Sequence, residues 1–156
     1  MKTLFIFVAS FLFAFPLFAA DTPEPEEAVA YGARYISIEE AKRLYDAKEA
    51  IFCDSRITRE YIMETIPGAI PCLYDEKGGK ANKLPDFDPS ADTWHHDKLP
   101  DKSQTLIIFC NAKTCWRSYK AAVTASRLGY KKVYWLRDGI PGWRNAGFKT
   151  ESNCPL

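Results

Sequence analysis

Two cysteines close together, Cys110 and Cys115, with Lys113 between them and Arg117 just beyond, are the residues of this chain whose types and spacing can do chemistry. A thiolate is the nucleophilic form of cysteine, and nearby fixed positive charges both depress a thiol's pKa and hold small oxyanions. The apolar run Leu106 to Phe109 ahead of Cys110 reads as a buried parallel strand that delivers the thiol to its carboxyl end. Open α/β sheets bind their ligands beyond those ends. The pattern from Ser118 to Leu128 reads as a helix, so Cys110 lies near an amino end whose unpaired N–H groups favour an anion. A cysteine at a strand end is by default a small core residue. The basic loop is what tips the balance toward nucleophilic sulfur chemistry.

The rest of the chain supplies the elements around this loop. Residues 1–20 carry one Lys, a long Phe- and Leu-rich run and small residues before Asp21, the layout of a secretory signal peptide with cleavage expected near Ala20. An uncleaved anchor is the alternative, a marginal one because Pro16 interrupts a run barely long enough for the roughly 20 residues of a bilayer span. Removing 20 of 156 residues leaves 136, one domain's worth, and losing Lys2 from 21 basic residues leaves 20 against 20 acidic ones. That balance argues against nucleic acid or an anionic membrane surface as partner. Residues 21–30 read as an acidic, Pro-containing, solvated leader, residues 31–150 as the domain, and 151–156 as a polar tail.

Within the domain the pattern predicts a first strand at Tyr35 to Ser37, a helix from about Ile38 to Ala47 opened by a Ser37/Glu40 capping box, and a buried strand at Ile51 to Asp54. A helical turn over Ile57 to Thr65, a strand at Ala69 to Leu73, a last strand at Val133 to Leu136 and a helical turn at Pro141 to Asn145 follow. Residues 75–102 have no sustained period and read as a long connection that Tyr74, Phe87 and Trp94 pin over the mouth of the site. His95 and His96 are the chain's two histidines; neighbouring side chains point apart, so no metal site is expected from them with Asp92 and Asp97.

Three segments, in order, resemble the signatures of the rhodanese family of sulfurtransferases. The first is IFCDSRITREYI with IPGAI, containing Asp54, Arg56 and the turn Pro67 to Ala69; the second is IIFCNAKTCWRS, and the third GYKKVYWLRDGIPGW, with Gly129, Gly139 and Trp143 in place. The resemblance implies a rhodanese-like α/β domain: a central, mostly parallel sheet of about five strands flanked by helices on both faces. It also implies that Cys110 takes a sulfane sulfur from a donor such as thiosulfate, carries it as a persulfide, and passes it to cyanide or a thiol. The loop Asn111, Ala112, Lys113, Thr114, Cys115, Trp116 and Arg117 would bind the donor, with no cofactor or metal, and Asp54 and Arg56 would be structural neighbours of the site. Arg117 would anchor the sulfonate-like end of the donor or hold the loop.

The loop departs from the compact family pattern: Arg117 lies seven residues after Cys110, not five, and the loop contains no glycine. A cradle of converging N–H groups needs a residue at positive φ, for which Asn111 is the natural candidate. The Cys-x4-Cys-Trp arrangement, Cys110 to Trp116, resembles a subgroup of exported rhodanese-like proteins and makes Cys115 a candidate resolving thiol, against the plainer reading that it faces the core at the helix start. Five cysteines leave at least one unpaired within a monomer, and the pairing of Cys53, Cys72 and Cys154 is open. Sequence therefore leads to a periplasmic or secreted sulfurtransferase acting on a small sulfur-containing anion, with a thiol acceptor or redox partner protein. The alternatives are a thiol–disulfide or persulfide-carrier protein using Cys110 and Cys115, and a non-catalytic rhodanese-like binding module. A phosphatase, which one branch of this fold supplies, fits poorly because the Cys-to-Arg spacing differs.

Overall fold

The computed structural model of the chain describes residues 22–77, 90–99 and 101–154. The expected signal peptide and Phe87 lie outside the described residues. In chain order the elements are α1 (Pro25–Val29), β1 (Arg34–Tyr35), α2 (Ile38–Asp46), β2 (Ile51–Asp54), α3 (Thr58–Met63), β3 (Ile70–Pro71), β4 (Tyr74–Asp75), β5 (Thr93–Trp94), β6 (Thr105–Phe109), α4 (Trp116–Arg127), β7 (Lys132–Leu136) and α5 (Gly139–Asn145).

Five strands form one parallel sheet in the order β1-β7-β6-β2-β3. In the middle of it, β6 pairs with β2 on one side and β7 on the other, and Leu106 to Phe109 are all fully buried. That burial on both faces is why the segment reads as an unbroken apolar run, since successive side chains of a strand point to opposite sides. Leu106 and Ile108 join Ala28, Cys53, Tyr119, Ala122 and Trp135 in one core, beneath α1 and α4. Ile107 and Phe109 join Ile38, Leu44, Phe52 and Trp143 in the other, beneath α2 and α5. The helices therefore cover both faces, as the α/β reading required.

Local chemistry explains the boundaries. The Ser37 hydroxyl accepts the Glu40 N–H at 3.2 Å and so starts α2; Ser37 is a cap, and the first strand ends before it at Tyr35. On α4, Ala121, Ala122 and Ala125 are fully buried, which lets the helix lie close on the sheet. It begins at Trp116, two residues before the expected Ser118, because the Trp116 ring is buried edge-on against Tyr119 at 5.7 Å and packing holds the first turn. At its other end Gly129 takes φ +93° and the Tyr130 N–H donates to Ala125 O at 3.1 Å, a glycine-terminated helix end.

Three expectations change. The leader is not solvated throughout: Pro25, which suggested a loop, is the first residue of α1, where its missing N–H costs nothing, and Ala28 is fully buried in the core. The long connection carries a two-stranded antiparallel ladder, with Tyr74 opposite Trp94 and Asp75 opposite Thr93. Tyr74 and Trp94 are buried, and Trp94 stacks on His96 (centroids 4.7 Å) and meets Tyr130 edge-on, so Trp94 packs just beyond the carboxyl end of α4. The tail is not simply polar surface either, since Glu151 bridges to Thr65 through paired backbone bonds of 2.8 and 2.9 Å.

Candidate functional site

The site forms where β6 and β7 end and α4 begins. Cys110 is the first residue after β6 and is 1 % exposed; its carbonyl accepts the Ile140 N–H at 3.0 Å from the first turn of α5. That approach is possible only because residue 139 is glycine. Gly139 takes φ +55°, and a Cβ built on it would lie 2.2 Å from the Cys110 carbonyl oxygen and 3.0 Å from the Asn111 carbonyl carbon. The chain then turns through Asn111 to Thr114, with the Cys115 N–H donating to Ala112 O at 2.8 Å, and Cys115 becomes the N-cap of α4.

Cys110 and Cys115 are joined by a disulfide with their Cα atoms 6.3 Å apart, inside the span such bridges allow. The two sulfurs are not equivalent. Cys110 is buried, whereas Cys115 is half-buried beside the exposed Lys113 and Thr114 at the loop tip. While the bond is closed neither sulfur is a nucleophile, and a thiol entering from solvent meets Cys115 first.

The shape of the loop has a different origin from the one expected. Among the described residues Lys48 is the one non-glycine at positive φ, so Asn111 is not left-handed. Its contribution comes from its side chain: Nδ2 donates to Glu60 Oε1 at 2.6 Å and Oδ1 accepts from Arg56 at 3.3 Å, tying the loop to α3 and to the segment after β2. Arg56 is itself fixed. Its guanidinium and backbone N–H bond the Asp54 carboxylate at 2.7 to 3.2 Å and it donates to Glu64 O, while Asp54 also accepts the Thr65 hydroxyl at 2.8 Å; Asp54 and Arg56 are both buried. Multiple hydrogen bonds of this kind are what make a buried ion pair tolerable. Ser55, between them, donates from both N–H and hydroxyl to Phe109 O, at 3.0 and 2.8 Å, locking β2 to the residue before Cys110.

On the opposite side the leader grips the loop. The Thr22 N–H and hydroxyl both donate to Lys113 O, at 2.7 and 2.6 Å. Arg137, the residue after β7, donates to Thr22 O at 3.1 Å and to the Glu24 carboxylate at 2.8 Å. Arg137, Thr22 and Glu60 were not singled out by sequence. Arg137 carried a signal, being a basic residue at the carboxyl end of a parallel strand; Thr22 carried none, because its partner is 91 residues away.

Two expected donor-binding residues, at the first two positions of α4, have partners of their own. Trp116 is in the core, and Arg117 has its Nε 3.6 Å from Glu76 Oε2, beside the buried Lys120, which bonds Glu76 at 2.8 Å and lies 3.7 Å from Asp92. The Arg117 guanidinium is thus engaged by a carboxylate just past β4, and an anion at the loop would compete with it. The other thiols are unlike the pair at the loop. Burial pushes the Cys53 thiol well above its ordinary value, reinforced by a hydrogen bond with the buried Cys72, so Cys53 is a protonated core group. Cys154 is exposed. Among the described residues no group of three or more His, Cys, Asp or Glu could hold a metal ion, and no helix is long and apolar enough to cross a membrane.

Comparison with solved structures places the fold. The chain is similar to the BH2092 protein from Bacillus halodurans, with 20% identity, TM-score 0.58, and 83% of this chain and 88% of that one covered. It is similar to a thiosulfate sulfurtransferase from Pseudomonas aeruginosa with 24% identity and TM-score 0.58, over 83% of this chain but 23% of that enzyme, so it spans about a quarter of the enzyme's length. It also resembles the rhodanese-like domain of an Anabaena protein, with 17% identity, TM-score 0.53, and 76% and 78% of the two chains covered. No curated protein matches it. The family model of the rhodanese-like domain matches residues 37–146, which is most of the chain and includes β2, the Cys110 loop and α5; the chain belongs to the rhodanese-like domain family.

Proposed function

We propose that this protein is an exported sulfurtransferase, periplasmic or secreted, that moves a sulfane sulfur from a thiosulfate-like donor to cyanide or a thiol through a persulfide on Cys110. The observation that carries the reading is the position of Cys110 in a rhodanese-like domain: directly after the central strand, with Cys115 at the amino end of α4 completing the loop. With the disulfide open, a persulfide there is an anion at a place where unpaired helix N–H groups favour negative charge, so no general base is needed for its formation. Lys113 at the loop tip adds positive charge on the approach, and Asp54 and Arg56 hold the loop through Asn111. The test is thiocyanate formation from thiosulfate and cyanide by the reduced chain without residues 1–20. Activity should fall by at least about 10³-fold in Cys110→Ala, and its absence from the reduced wild type would refute the reading.

A second reading has its own support. The Cys110–Cys115 disulfide fits a thiol–disulfide exchange protein serving a redox partner. That reading requires Cys115→Ser to abolish dithiol oxidation. Full biological function in Cys110→Ala would instead support a non-catalytic binding module.

A further inference from the structure

Given the sulfurtransferase reading, on which this inference rests, we propose that Cys115 resolves the persulfide. The site then has a further activity, the reduction of a thiosulfate-type donor to sulfite and hydrogen sulfide at the expense of a dithiol. Two observations lead there. The fold already brings the Cys115 sulfur into bonding contact with the sulfur that would carry the load, so no rearrangement beyond that of the loop itself is needed for attack. In addition, the pair is asymmetric, with Cys110 1 % exposed and Cys115 half-buried at the loop rim. A persulfide on a buried Cys110 therefore has an intramolecular thiol next to it before any external acceptor arrives, and intramolecular attack carries a large advantage in effective concentration.

The steps balance. The Cys110 thiolate attacks the outer sulfur of thiosulfate; the sulfur–sulfur bond of the donor breaks and sulfite leaves with the electron pair. Cys115, as thiolate, then attacks Sγ of Cys110. The bond from that Sγ to the carried sulfur breaks, hydrosulfide leaves with the electron pair, and the Cys110–Cys115 bond forms. The two thiols are oxidised by two electrons, the sulfane sulfur is reduced by the same two, and the two thiol protons end on hydrogen sulfide. A partner dithiol closes the cycle: one of its thiolates attacks Cys115, the accessible sulfur, Cys110 leaves as thiolate, and the partner's second thiol displaces Cys115 while the partner becomes a disulfide. The closed loop of the structure is the product state of this cycle. Cyanide or a free thiol drains the persulfide only where it outruns Cys115.

The experiment is a single turnover. The reduced chain, freed of small thiols under anaerobic conditions, receives thiosulfate alone, and sulfite, sulfide and remaining thiols are measured. The expected result is about one equivalent each of sulfite and sulfide per chain and the loss of two titratable thiols, mapped to Cys110 and Cys115. In Cys115→Ser sulfite is expected without sulfide, with one added sulfur retained on Cys110 by mass. Wild-type protein that releases sulfite yet keeps the added sulfur, with no sulfide, overturns this inference and leaves the sulfurtransferase reading standing. Absence of sulfite from both proteins overturns the reading beneath it as well.

Discussion

Replacing the buried Gly139, the first residue of α5, by alanine should do far more damage than the same change at a turn glycine with open space around it, and the size of the effect can be worked out. At φ +55° an L side chain costs about 1–2 kcal/mol. The added methyl would also sit 2.2 Å from the Cys110 carbonyl oxygen, a backbone atom fixed by the end of the central strand, so either α5 or the loop must move. Movement of more than a few tenths of an ångström breaks the 3.0 Å bond from the Ile140 N–H to that carbonyl, and an unsatisfied buried donor costs a further 1–3 kcal/mol or so. Alanine's lower entropy in the unfolded chain returns about 0.4–1 kcal/mol. The net expectation is a loss of about 2–4 kcal/mol. Gly129→Ala is the matched control: its φ is +93°, but nothing lies within 4 Å of the new methyl, so about 1 kcal/mol is expected. Urea unfolding of the oxidised proteins at a shared m-value measures both. If the two variants lose the same stability to within about 0.5 kcal/mol, the close packing of α5 on Cys110 is not the constraint argued for here.

Reduction of the Cys110–Cys115 bond should lower the unfolding free energy by about 2 kcal/mol, the entropy of a ring this short, read as a shift of the urea midpoint between oxidised and reduced protein; no shift would mean that the ring adds no constraint. Asp54→Ala should cost about 3–5 kcal/mol, because it strands the buried Arg56 and the Thr65 hydroxyl together; a loss under 1 kcal/mol in thermal or urea unfolding would contradict that geometry. The Cys53 thiol, raised by burial, predicts a pH effect with a definite sign. Its stabilisation is complete below the unfolded thiol's pKa near 8.5 and is lost as pH rises above it, by about 1.4 kcal/mol per unit, because only the unfolded chain ionises there. Unfolding measured between pH 7 and 10 should fall less steeply in Cys53→Ala than in wild type, and parallel curves would count against the assignment.

Legibility from sequence followed the range of the interactions. The strand through Leu106 to Phe109 was readable because burial on both faces forces every residue to be apolar, and α2 was readable because Ser37 and Glu40 meet three residues apart. The order of three motif segments carried the family, and with it the five-stranded sheet. The leader was misread for a physical reason: Pro25 and the acids after it are as suitable for the first turn of a helix as for a solvated strand, and only the pocket that accepts Ala28 decides between them. Arg117 was legible only in part. Its charge was visible, but Glu76, which engages it, arrives from a separate segment 41 residues earlier (117 − 76).

The departure of the loop from its family pattern has a structural resolution. A loop without glycine has no inexpensive route to a left-handed bend, and none of its residues takes one. Its path is instead held from outside at three points: the sulfur–sulfur bond joins its ends, the Asn111 side chain fixes its start to Glu60 and Arg56, and Thr22 fixes its tip through Lys113 O. Two of these holds are hydrogen bonds that do not involve the sulfurs. The third is covalent and reversible by a thiol. Opening the disulfide therefore releases only the join between the loop's ends while its start and tip keep their own anchors, so the Cys115 sulfur is released from Cys110 without being carried away from it. That is the mechanical condition a resolving thiol must meet, and it accompanies the near-complete burial of Cys110 in the closed loop.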